Sequence, residues 1–183
     1  LEHVHLATLP GMFERTITIS GLSKTYSVTG WRIGYLVAPP AISSAIRKVH
    51  DFLTVGAPAP LQAAAVTALE FGDDYYSDLL GNYTARRERM CAMLTEAGFQ
   101  VYRPSGAYYV MTDISGFNLG DDVTFVRRMI EQVGVAAVPG TSFYYHKEHG
   151  RSKVRFAFPK TPATLDAAAG RLARLRDLAP VAA

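Results

Sequence analysis

The chain has 183 residues, 49% of them hydrophobic and 19% charged, with a formal net charge of +3. That balance belongs to a folded globular chain and excludes wholesale disorder, and the length suits one domain or a small domain beside part of another. The apolar runs fall short of the ~18 residues a membrane helix needs, and the basic residues are scattered, as in Arg86-Arg87 and Arg127-Arg128, so neither a membrane nor a nucleic acid is an expected partner. Cys91 is the only cysteine, which rules out an internal disulfide and makes a reducing cytoplasm the expected compartment.

In chain order, Thr16–Ser20 and Ile33–Val37 read as short strands. Pro39-Pro40 ends the second and opens a helix over 41–53, where Ile42, Ile46, Val49 and Leu53 fall at helical spacing. Gly56-Ala57-Pro58-Ala59-Pro60 is the sharpest break and the candidate domain junction. An alanine-rich helix is expected over 61–71, followed by a long amphipathic one capped by Asp73-Asp74 and running to Gly98. The period then changes: 99–103 and 107–112 alternate as strands about a Pro104-Ser105-Gly106 turn. Asp121-Asp122 caps a helix to about Val133, Val135–Val138 and Val154–Phe158 are further strands, and Thr161-Pro162 opens a last helix over 163–178. The closing Ala-Pro-Val-Ala-Ala reads as a frayed tail.

This order predicts an α/β fold in two parts. Residues 1–55 read as the end of a larger α/β domain, because two strands and a helix cannot cover both faces of a sheet. Residues 56–183 read as a small, self-contained α+β domain.

Within the first part, one stretch carries chemistry. Ser20-Gly21-Leu22-Ser23 leads from a strand into Lys24, and Thr29-Gly30-Trp31 leads into Arg32 before the next strand. A lysine that forms a Schiff base must lose its proton near neutral pH, which calls for partial burial or a neighbouring cation. The flanking strands are expected to give the first and Arg32 the second. Arg32 also has the fork that grips a phosphate through two bonds. Gly30 is expected to turn the backbone so that the fork returns toward the lysine, with Ser20 and Ser23 adding hydroxyls. An amine, hydroxyls and an arginine around one anion point to pyridoxal phosphate, which carries both an aldehyde and a phosphate.

The stretch from Ser20 through Tyr35 closely resembles the cofactor-lysine segment of class I/II aminotransferases, the fold-type I pyridoxal phosphate enzymes. Leu9-Pro10-Gly11-Met12-Phe13-Glu14-Arg15-Thr16 resembles the kynurenine, glutamine and methionine aminotransferase branch. Gly134-Val135-Ala136-Ala137-Val138-Pro139-Gly140-Thr141-Ser142-Phe143-Tyr144 and Val154-Arg155-Phe156-Ala157-Phe158 fit the same group. The resemblance implies the C-terminal portion of that fold and transfer of an amino group between an amino acid and a 2-oxo acid, by a homodimer in the parent protein. It makes Lys24 the lysine joined to the cofactor aldehyde and the acid–base at the substrate α-carbon. It makes Arg32, with Ser20 and Ser23, the phosphate grip, and Arg155 the holder of the substrate α-carboxylate. Tyr108 and Tyr109, with Phe143 and Tyr144, are expected on the substrate side or in the small-domain core.

The family's Asp–x–x–Tyr segment, which protonates the cofactor ring nitrogen and bonds its hydroxyl, has no counterpart before Lys24. The chain is therefore expected to be a C-terminal half that is weakly active or inactive alone. A carbon–sulfur β-lyase on the same scaffold and a non-catalytic, aminotransferase-like regulatory piece remain open alternatives. His3/His5 and His146/His149 lack acidic or cysteine partners at ligand spacing, so no metal is expected.

Overall fold

A computed structural model describes residues 3–178, which form two compact units dividing at Leu79/Leu80, inside one long helix. The tail over 179–183, read as frayed, lies outside the described residues.

In the first unit, strands β1 (Thr18–Gly21) and β2 (Gly34–Val37) pair antiparallel, with Thr18 opposite Val37 and Gly21 opposite Gly34. Their connection holds a single helical turn, α1 (Leu22–Thr25), and a 3-10 turn at Thr29–Trp31. A Cβ on Gly34 would stand 2.7 Å from the Ser20 carbonyl oxygen, so only glycine lets the two strands close where that connection begins. Helix α2 (Pro40–Thr54) starts with proline in its first turn, where the missing N–H costs nothing. Residues 55–58 separate it from α3 (Ala59–Leu69).

The apolar spacing of 42–53 does give a helix, yet no residue of α2 is buried. Val49, Phe52 and Leu53 on α2, and Val55 after it, are exposed. The buried apolar core of this unit consists, among the described residues, of Leu22, Ile33 and Ala65.

The second unit begins within α4 (Asp73–Glu96). Strands β3 (Gln100–Tyr102), β4 (Tyr109–Asp113), β5 (Val138–Pro139) and β6 (Lys153–Ala157) form an antiparallel sheet in the order β3-β4-β6-β5. Period-two alternation turns Val110 and Thr112 on β4, and Val154 and Phe156 on β6, into the core. There they join Met90 and Leu94 of α4, Phe125 of α5 (Asp122–Arg128), and Leu165 and Leu172 of α6 (Pro162–Leu172). Phe99 sits at its centre, with ring centroids 4.8, 5.3 and 5.8 Å from Phe117, Phe156 and Phe125. Side chains buried this fully contribute about 1.5–3 kcal/mol each.

Three elements differ from expectation, and the last helix is one of them, α-helical only to Leu172 and 3-10 over Ala173–Asp177. The helix expected to reach Val133 is α-helical to Arg128 and then widens into a π turn over Met129–Val133. The strand expected over Val135–Val138 pairs only at Val138–Pro139. The reason is local: the Gly134 and Val135 amides still bond back to the Met129 carbonyl, so this stretch is leaving a helix rather than entering a ladder.

Candidate functional site

The first set of candidate residues lies on the β1–β2 connection. Lys24 Nζ donates to Thr29 Oγ1 at 3.2 Å, and that hydroxyl donates to the Ser23 carbonyl at 3.0 Å. Arg32 donates from its guanidinium to the Thr29 carbonyl at 3.0 Å. Lysine and arginine therefore converge on one threonine. Thr29 was missed in the sequence, although a hydroxyl midway between the two cations was the available signal.

Gly30 does not supply the turn, as its φ is not positive; Arg32 itself takes the left-handed conformation, with φ of +54°. A non-glycine residue there costs on the order of 1 kcal/mol, offset here by the bond to Thr29. The expected partial burial of Lys24 is also not found: Lys24 is exposed, and Leu22 is the side chain of α1 that enters the core. A single helical turn presents only one side chain inward, and here it is the apolar one. Ser20 is exposed on β1 opposite Tyr35, and Ser23 is half-buried at the start of α1.

Aromatic residues fix the far end of α1. Tyr75 donates its hydroxyl to the Thr25 carbonyl at 2.6 Å, and the hydroxyls of Tyr26 and Tyr76 bond at 2.7 Å. Tyr26 stacks on Tyr75 at 5.7 Å and meets Phe71 edge-on at 5.9 Å. Burial in this nest, reinforced by the bond to Tyr76, pushes the Tyr26 phenol up to about 12.

The second set lies on the sheet of the second unit. Arg155, half-buried on β6, holds its guanidinium carbon 3.8 Å from the Tyr109 ring centre and 3.7 Å from that of Phe143. Stacking on aromatic faces suits guanidinium, which is planar and weakly hydrated. With its faces against rings, its N–H edge is the part left for a planar anion. Among the described residues, no carboxylate forms an ion pair with Arg155. Tyr108 turns to the core of the unit, its ring 4.2 Å from that of Tyr109, and its carbonyl accepts the Phe158 amide at 3.2 Å. Among the described residues, no cluster of three or more metal-ligating side chains occurs, and no helix is long and apolar enough to cross a membrane.

Comparison with known proteins covers the stretch that holds both sets. The family described as aminotransferase class I and II matches residues 3–172. A kynurenine–oxoglutarate transaminase of Dictyostelium discoideum is 35% identical over 96% of this chain and 45% of its own length. The methionine aminotransferase of Escherichia coli is also 35% identical, over 94% of this chain and 45% of its own. Among solved structures, N-succinyldiaminopimelate aminotransferase from Mycobacterium tuberculosis superposes with a TM-score of 0.87 at 37% identity, covering 96% of this chain and 46% of that one. The chain spans a little under half the length of the relatives it matches.

Proposed function

The chain belongs to the class I and II aminotransferases, and on that premise we propose that the whole protein moves an amino group between an amino acid and a 2-oxo acid. Enzymes of this family depend on pyridoxal 5'-phosphate. The observation that carries the reading is the convergence of Lys24 and Arg32 on Thr29. It sets an amine suited to an aldehyde beside a fork suited to a phosphate, so the donor set fits that cofactor. When bound, the cofactor supplies a sink for the negative charge that develops at the substrate α-carbon.

The chain's own residues divide the remaining work. Lys24 would anchor the cofactor and carry the proton to and from the α-carbon. Arg32, Ser20 and Ser23 would hold the phosphate, Arg32 with its planar fork and the serines with their hydroxyls. Arg155 takes the α-carboxylate on its open edge, which fixes the distance from which the amino group reaches the cofactor. Tyr109 borders that position, and Tyr108, packed against Tyr109 and the core, backs it.

The names of the relatives support a broad specificity that includes large or aromatic side chains, or N-succinyldiaminopimelate. A cytoplasmic homodimer is part of the same proposal. So is the reading of 1–55 as the end of a large cofactor-binding domain and of 56–183 as the small domain.

The test is a kinetic split in the whole protein. Arg155→Lys keeps the charge and loses the fork, so KM for the amino acid should rise about ten- to a hundredfold with a smaller change in kcat. An unchanged KM would remove Arg155 from the carboxylate role. Pyruvate released from a cysteine S-conjugate, with no amino transfer, would replace the transferase reading by the carbon–sulfur lyase.

A further inference from the structure

We propose that Asp122 is the positioning residue of the Arg155 clamp: it ties together the two chain segments that carry Phe143 and Arg155, and so keeps the guanidinium edge turned out for a carboxylate. The inference rests on the carboxylate reading of Arg155 given above.

Asp122 opens α5 and is fully buried. The helix does not need it as a cap, because Asp121 accepts the Thr124 amide at 3.0 Å and fills that role. Asp122 reaches across the unit instead. Its Oδ2 accepts both the amide and the hydroxyl of Thr141, each at 2.7 Å, and its own N–H donates to the Arg151 carbonyl at 2.8 Å. Its Oδ1 has no partner among the described residues. A buried carboxylate is costly and a half-satisfied one more so. Stability of α5 gives no reason for that cost, whereas the two segments it joins do.

Thr141 lies two residues before Phe143, and Arg151 lies four before Arg155. One residue therefore anchors the approach to both sides of the clamp. The segments also cross with no slack. A Cβ on Gly140 would overlap the Gly150 carbonyl oxygen, and one on Gly150 would stand 2.5 Å from the Thr141 amide nitrogen. With the backbones in such contact, a shift at Thr141 passes to Phe143 rather than being absorbed on the way. The Tyr109 side is held by five register pairs between β4 and β6, whereas β5 pairs with β6 only at Val138 and Pro139, which leaves Phe143 beyond the ladder.

The experiment is NMR on the full chain, following the Arg155 side-chain Nε–Hε signal, assigned by its loss in Arg155→Lys. Between two ring faces that proton is displaced upfield, and 3-phenylpropionate, a plain carboxylate probe, should shift it on titration. Asp122→Ala and Thr141→Val should each lose much of the upfield displacement and weaken the probe on the order of tenfold, while the core methyl signals stay in place. Asp122→Asn, whose amide oxygen can still accept both Thr141 bonds, should keep both. If Asp122→Ala does not fold, Thr141→Val decides, since it removes one hydroxyl from a half-buried position in the 3-10 turn Gly140–Phe143. A folded Thr141→Val chain with an unchanged Arg155 signal and unchanged probe affinity overturns the positioning role. A wild-type signal that ignores 3-phenylpropionate overturns the carboxylate reading instead, whatever the variants do to the displacement.

Discussion

The two units hold their candidate residues by different means. Up to Leu79, Lys24 and Arg32 sit on the connection of a two-stranded ribbon above three buried apolar residues, and Phe52, Leu53 and Val55 stand exposed. From Leu80 onward, Arg155 sits on an inner strand of a four-stranded sheet whose buried core draws on α4, α5 and α6. In the second unit, packing fixes the candidate side chain. In the first, hydrogen bonds to Thr29 and an aromatic nest around Tyr26 do so. The lysine loop therefore depends on few contacts, while the arginine clamp inherits the rigidity of a whole core.

Truncation separates these regimes most sharply. Leu94 is fully buried and Phe52 is 93% exposed. Leu94→Ala should cost about 2–5 kcal/mol of unfolding free energy, against no more than about 0.5 kcal/mol for Phe52→Ala. Denaturant unfolding measures both. A Phe52→Ala cost above about 1 kcal/mol would show that the face of α2 is covered in solution and would break the contrast.

Acid and alkali should probe the units separately. Tyr26 is pushed up to about 12, so the first unit holds its phenol proton more tightly than the unfolded chain does. That contribution is complete below about pH 10 and is lost as pH rises through about 12. Asp121 shows the opposite sign: the Thr124 amide and hydroxyl hold its carboxyl below the usual range. Its contribution to the second unit is present above about pH 4 and is lost as pH falls through the lowered value. Hydrogen exchange across pH should show alkali opening the Tyr26 region first and acid the start of α5. The reverse order would contradict both assignments.

What the sequence revealed follows the range of the interactions involved. α2 was legible because Pro39-Pro40 and a period near four are local signals, but its lack of burial was not, since cover depends on residues far along the chain. The Thr161 cap, which accepts the Thr164 amide at 3.2 Å, is local and was foreseen. The left-handed turn fell on Arg32 rather than Gly30, because hydrogen bonding to Thr29 outweighed intrinsic backbone preference. Arg155 was found through its motif, whereas Asp122 was read only as part of a helix cap. Its bonds to Thr141 span nineteen residues, and no spacing rule reaches that far.

The central claim is that Lys24 is the residue of this chain that takes the cofactor, and intact mass tests it directly. The chain and its Lys24→Ala variant would be incubated with stoichiometric pyridoxal phosphate, reduced with borohydride, weighed and peptide-mapped. One adduct, mapping to Lys24 and lost in the variant, is the expected result. Labelling spread over several lysines, or an adduct that survives Lys24→Ala, would contradict it.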